Sequence, residues 1–399
     1  MTDDVLQQLG ATWGTPCFVF DTDILRARME QIISIVGTQI KLCYSIKANP
    51  FLIEEMQKSV AHLEVCSPGE LSICEKLKVN MQNVIFSGVT KTQQDIAVAV
   101  ADNVGIYTAE SPLHLSLLND EAVRQNKVLP VLLRLTSGNQ FGMSENTLYE
   151  LIATREKFTG VRIIGIHFFS GTQKKKSSLI LNELVYLQKI CEQLRVHYNF
   201  CVKKIEYGPG LAVPYFTTDN FCDTLQLLRE ITPALHTLAE ITDVSIEMGR
   251  FFTAACGFYL TRVVDAKENN GTHYCILDGG MHHVNYYGQT MGMKVPVIRH
   301  FSAQNEGVSQ DWALCGSLCT VADVLVRKVP LKGLALGDLL VFCNIGAYSV
   351  TEGSYLFLSR KMPRILLFSQ EKGAHLVRDF FNTDVLNTNG GYTTNGTTD

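Results

Sequence analysis

The chain has 399 residues, 46% of them hydrophobic and 19% charged, with a formal net charge of −4. That length supports two domains with large cores, and that composition excludes a disordered chain. The slight acidic excess leaves no basic footprint, which argues against a nucleic-acid partner.

The first ten residues, MTDDVLQQLG, are acidic and carry no apolar run, so no signal peptide is expected. No stretch approaches the ~18 continuous apolar residues of a membrane span. The twelve cysteines include no CxxC pair, and no histidine stands at ligand distance from the nearest two, Cys315 and Cys319. Reduced thiols, a cytoplasmic location and no metal are the expectation.

In chain order, TPCFVFD (15–21) reads as a strand that could pair with either domain. Eight β-rich runs follow between residues 41 and 250: KLCYSIKA, HLEVCS, NVIFSG, VGIYTA, VLPVLLRL, RIIGIHFFSG, KKIEYGPG and DVSIEMG. Helical spacing separates them, as in 177–200 and in 222–241, where Pro233 predicts a break or a new first turn. Strand then helix, eight times, predicts a (β/α)8 TIM-type barrel; an open doubly wound sheet is disfavoured because no GxGxxG follows the first strand.

After residue 250, strands succeed one another without long helices, at 258–267, 273–280, 311–317, 323–331 and 339–348. This predicts a C-terminal antiparallel β domain. The expected divisions are 1–24 with the β domain, 25–255 as barrel, 256–385 as β domain and 386–399 as a disordered tail.

Function in such a barrel collects at the C-terminal ends of its strands. Lys47 ends the first strand there, Ser67 the second, and His167, Gly171 and Thr172 follow the sixth. Gly208-Pro209-Gly210 ends the seventh and Glu247-Met248-Gly249-Arg250 the eighth. A lysine in an apolar strand is either a snorkelling side chain or a desolvated amine able to condense with an aldehyde. Glycine loops let backbone N–H groups approach an anion, although an isolated GPG is more often a plain turn. Glu247 is either a salt-bridge partner of Arg250 or a partner for a protonated pyridine nitrogen.

At these residues the sequence resembles the fold-type III, alanine-racemase-like pyridoxal-phosphate decarboxylases, the group containing diaminopimelate, ornithine and arginine decarboxylases. The likeness runs from Gly14-Thr15-Pro16 to about Tyr355. It implies pyridoxal 5'-phosphate as cofactor, with Lys47 in YSIKAN (44–49) as the Schiff-base lysine. EVCSPGEL (64–71) resembles the second-strand motif. The likeness gives Thr172, Gly208, Gly210, Gly249, Arg250 and Tyr348 to the phosphate and Glu247 to the pyridine nitrogen. Asp278 begins a substrate-side loop, and Cys319, in CGSLC, takes the role of proton donor across a homodimer interface.

The pattern departs from the family in three places. Phe169 stands where a histidine usually stacks on the ring, with His167 two residues earlier on the same strand face. The segment Met281–Gly288 lacks the arginine of diaminopimelate enzymes. Thr320 follows Cys319 where ornithine-type enzymes carry an acid, and a buried ammonium needs a charged partner. The Leu-Cys-Thr-x-x-Asp pattern is similar to a subgroup acting on conjugated or carrier-bound amino acids. The expected substrate therefore has a neutral or acylated distal end, met by Asp278, His282, His283, Asn285 and Thr320. The alternatives are decarboxylation of free lysine, ornithine or diaminopimelate, amino-acid racemisation, and a non-catalytic regulator.

Overall fold

The computed structural model describes residues 1–302 and 307–390. It divides into two compact units, Arg28–Val213 with Cys222–Phe252, and Met1–Ala27 with Pro214–Phe221 and Thr253–Asp399. Residues 214–221, expected within the barrel span, thus cluster with the other unit. Of the expected tail, Leu386 and Asn387 complete the helical turn Asp384–Asn387, and 391–399 lie outside the described residues.

The first strand, β1 (Cys17–Asp21), belongs to the sheet unit. The barrel follows as β2 (Ile40–Ser45), β3 (His62–Val65), β4 (Val84–Phe86), β5 (Ile106–Ala109), β6 (Leu129–Leu135), β7 (Val161–Phe169), β8 (Lys204–Gly208) and β9 (Asp243–Met248). All eight pair in parallel, and Leu42 opposite Ile246 closes the ring between β2 and β9. β6 is almost continuously buried, as a parallel strand covered on both faces must be.

Sequence punctuation sets the helix starts. Ser67 and Ser111 each accept a backbone N–H three residues on, with proline at the first helical position of Pro68–Lys76 and Pro112–Arg124. Thr92 and Asp95 form a reciprocal capping box before Gln93–Ala101. The expected break at Pro233 does not occur. Gln226–Ala239 runs through it as one helix, with Leu228, Ile231, Leu235 and Leu238 buried on one face. Burial of that apolar stripe outweighs the missing N–H.

The second unit is a nine-stranded sheet built on β1 with β10 (Gly257–Asn269), β11 (Thr272–Leu277), β12 (Ile298–Phe301), β13 (Ser309–Cys315), β14 (Val324–Lys332), β15 (Leu339–Cys343), β16 (Arg364–Ser369) and β17 (Gly373–Arg378). It is mixed rather than antiparallel, because β1 runs parallel to β16 and β11 parallel to β13. Helix Asp3–Trp13, unforeseen in the sequence reading, lays Leu6 and Leu9 on a core that includes Cys17, Val19, Phe258, Leu260 and Val341. None of the twelve cysteines forms a disulfide.

Candidate active site

In the barrel unit, β2 stops at Ser45, and Lys47 lies on the tight helical turn Ile46–Ala48 rather than in the strand. Nor is Lys47 a desolvated amine. Its side chain is 40% exposed, and Nζ stands 3.1 Å from Glu64 Oε2 and 3.9 Å from Glu247 Oε1. Cys66 Sγ is 3.3 Å away. Burial above all, and Glu64 beside it, push that thiol well above its usual range, so it faces the amine as a neutral group.

Glu247 is the hub. Oε1 accepts from Ser45 Oγ at 2.5 Å and Oε2 lies 3.0 Å from His167 Nε2. Burial opposes its charge, yet the His167 bond and the Lys47 ammonium hold its carboxyl well below the usual carboxylate range. Glu64, His167 and Glu247 offer three ligand-type atoms within 4.8 Å of one another, from β3, β7 and β9. β3 and β7 are not neighbours in the ring, so these side chains meet across its interior. The Lys47 ammonium stands against both carboxylates in the place a cation would take.

His167 is fully buried and committed to Glu247, whereas Phe169 is half-buried at the mouth end of β7. Directly opposite Phe169 is Gly208, where an added Cβ would fall 2.5 Å from the phenyl ring. Gly210 has φ +64, and a Cβ there would meet the Gly171 carbonyl at 1.8 Å. The loop 171–172 after β7 and the loop 208–210 after β8 therefore touch, tied by Lys174 N donating to Gly210 O at 2.9 Å. Thr172 is half-buried in the first loop, and Arg250, buried, opens the turn after β9 beside Gly249. Ser67, by contrast, spends its hydroxyl on the Glu70 N–H.

This mouth fits pyridoxal phosphate on its own terms. It offers an accessible primary amine, a buried carboxylate held as an anion, and a cradle too tight for any Cβ followed by a guanidinium.

In the sheet unit, Cys319 is exposed on the loop between β13 and β14. It lines a cavity of about 440 Å³ with Lys267, Asp278, Leu318 and Arg360 among others. Asp323, given no role from sequence, shapes that loop. Its carboxylate accepts from Met281 N at 2.7 Å and Leu318 N at 2.8 Å, against Gly280 and Gly316 where a Cβ would clash. Thr320 Oγ1 accepts from Ala322 N at 3.3 Å within the same loop.

Asp278 accepts from Thr261 Oγ1 at 2.6 Å, Arg262 N at 3.0 Å and Thr15 Oγ1. His282 and His283 do not reach a surface of their unit. Each is 1% exposed, their rings lie 3.8 Å apart, and His283 Nδ1 bonds Tyr259 Oη at 2.7 Å. Burial lowers His282 to about 4 and holds His283 well below the usual imidazole range, so both are neutral. Asn285 is held by Glu352 at 3.0 Å. Tyr348 is half-buried and sits at φ +68, an uncommon conformation for a tyrosine, pinned by Thr351 and Glu352 N–H groups on its carbonyl at 2.8 Å.

Sequence reasoning missed Glu64 and Asp323 as parts of these constellations, and also Glu206, a fully buried acid on β8. An acid inside an otherwise apolar strand, as in HLEVCS and KKIEYGPG, was the available signal.

Known proteins are similar along nearly the whole chain. An L-glutamyl-[BtrI acyl-carrier protein] decarboxylase from Niallia circulans is 28% identical, over 88% of this chain and 87% of its own. A 2-[(L-alanin-3-ylcarbamoyl)methyl]-2-hydroxybutanedioate decarboxylase from Staphylococcus aureus is 27% identical, over 92% and 98%. The fold matches the crystal structure of diaminopimelate decarboxylase from M. jannaschii in complex with L-lysine, at a TM-score of 0.83 and 22% identity over 94% of this chain and 92% of that one. Residues 22–254, more than half of the chain and the whole barrel, match the pyridoxal-dependent decarboxylase pyridoxal-binding domain, and the protein belongs to that family of pyridoxal-phosphate-dependent amino-acid decarboxylases.

Proposed function

We propose that the protein removes the α-carboxylate of an amino acid whose distal end is conjugated, by acylation or attachment to a carrier, rather than a free ammonium. One observation carries this reading. The cavity beside Cys319 is lined by two acids, and both are spent: Asp278 on three donors, and Asp265 on Lys267 at 3.0 Å. Arg360 adds positive charge to the cavity, and the resemblance puts Thr320 in place of the acid that ornithine-type enzymes carry after the cysteine. The two relatives named for conjugated substrates support it.

Pyridoxal phosphate, when bound, supplies an aldehyde that condenses with amines and a ring that accepts the electron pair left by departing CO2. Lys47 offers Nζ for attachment, kept close to Glu64. Glu247 presents an anion to the ring nitrogen. Phe169, free of the hydrogen bond that commits His167, covers the ring by dispersion. Thr172, Gly208, Gly210, Gly249 and Arg250 would hold the phosphate. Cys319 of a second copy holds the proton for Cα on Sγ, which implies a homodimer. No described helix is long and apolar enough to cross a membrane.

CO2 release tests the substrate. Turnover of amino acids with acylated or carrier-linked distal ends, lost in Cys319→Ala, is expected. Brisk turnover of free lysine, ornithine, arginine or diaminopimelate would overturn the reading.

A further inference from the structure

Three buried polar atoms of the barrel lie on two paired residues and have no hydrogen-bond partner. Glu206 on β8 stands opposite His167 on β7. Glu206 is completely buried, and neither of its carboxyl oxygens is hydrogen-bonded. His167 Nδ1 is in the same condition, while its Nε2 is spent on Glu247 at 3.0 Å. On the other side Glu206 pairs with Ser245 of β9, whose buried hydroxyl also lacks a partner.

The titratable groups facing Glu206 are His167 on β7, Glu247 on β9, Lys204 on its own strand, Glu64 on β3 and the Cys43 thiol on β2. An ionised carboxylate here would have no donor and would stand beside two other carboxylates. That is the most costly state open to it, and a proton removes the cost.

A neutral imidazole carries a single N–H, and nearby acceptors decide which nitrogen holds it. Were Glu206 an anion, it would compete with Glu247 for that hydrogen, and a bare Nε2 would then face a carboxylate. A protonated Glu206 makes no such demand. We infer that Glu206 is a positioning residue that works as a neutral carboxylic acid, fixing His167 in the Nε2–H tautomer that holds Glu247 as an anion.

Burial, together with Glu247 and Glu64, pushes Glu206 up to about 7 against the opposing pull of His167 and Lys204, while Glu247 is held well below its usual range. Environments that drive two acids apart in this way assign them different roles. The protonation state itself does not depend on what Glu247 binds; its bearing on the reaction rests on the reading of Glu247 as partner of the cofactor nitrogen.

The test uses the full-length chain, with and without pyridoxal phosphate. Infrared difference spectra of wild type against Glu206→Gln should show the carbonyl stretch of a protonated acid below pH 7, fading as pH rises and missing in the variant. Absence of the band, or its loss in Glu247→Gln but not Glu206→Gln, overturns the proposal. Should Glu206→Gln fail to fold, the same resonance is followed in wild type carrying carboxyl-labelled glutamate. Histidine labelled with 15N, with the His167 signals identified by their loss in His167→Gln, gives the second readout. His167 should be the Nε2–H tautomer below pH 7 and shift its single hydrogen toward Nδ1 as Glu206 ionises with rising pH. Glu206→Gln should stay Nε2–H throughout. If Glu206 titrates while His167 ignores it, the acid is merely buried and the positioning role falls.

Discussion

At the scale of single residues, the site separates groups that react from groups that hold them. Cys319 is exposed and free to meet a substrate, so Cys319→Ala should lower kcat by roughly 10²–10⁴, the usual contribution of a placed acid. The visible spectrum of the cofactor-loaded enzyme should stay the same, because the substitution leaves Lys47 and its amine unchanged. Steady-state rates and absorbance measured on one preparation check both halves. His167→Phe is expected to behave differently. It strips the 3.0 Å partner from a buried carboxylate, which costs about 1–3 kcal/mol. Denaturant unfolding should show that loss, and retention of the cofactor through gel filtration should fall with it. A variant as stable and as well loaded as wild type would remove His167 from the site.

Elements position these residues, and here the sequence was unevenly legible. The barrel was readable because each strand is apolar and each helix start is punctuated, as by Ser67-Pro68 and Ser111-Pro112. The two-fold alternation that puts His167 and Glu247 on inward positions was also readable in principle. What was hidden is cross-ring contact. Glu64 and His167 are separated by 103 positions, and only the closed ring brings them together. The sheet unit was less legible, since β17 has no fully buried residue and β1 joins β16 from the far end of the chain.

The glycine loops are the clearest case of an element dictating chemistry. At Gly210 a methyl group would meet both a left-handed backbone and the Gly171 carbonyl at 1.8 Å. The conformation alone costs a side chain about 1–2 kcal/mol. Gly210→Ala should therefore separate the loops after β7 and β8 and weaken cofactor binding by tenfold or more, a factor that needs only about 1.4 kcal/mol. Titration of the cofactor-free protein measures it. Gly37, where an added Cβ meets nothing within 4 Å, has a similar φ of +69 and serves as the control for backbone strain without a contact.

At the scale of the whole molecule, buried groups of opposite sense set how stability depends on pH. Glu206 ionises near 4.5 when unfolded and only at about 7 when folded, so between those values the folded state carries the extra proton. Its contribution is full below pH ~4.5 and is lost as pH rises to ~7, at up to about 1.4 kcal/mol per unit and roughly 3 kcal/mol in all. Glu70 and Asp323, also pushed up by burial, act in the same direction at the acid end. His282 is the mirror case. It protonates near 6.5 when unfolded but stays neutral in the fold down to about 4, so it costs stability as pH falls through that window. His62 and His283, both depressed chiefly by burial, add to it. Single variants separate the two senses. Relative to wild type, Glu206→Gln should gain stability progressively from pH ~4.5 to ~7 and then level off, whereas His282→Phe should gain as pH falls below ~6.5. Urea unfolding across pH 4.5–7.5 for the three proteins checks both slopes. Parallel curves for wild type and Glu206→Gln would mean that Glu206 has the same affinity for its proton in the folded and unfolded chain, which its complete burial beside Glu64 and Glu247 does not allow.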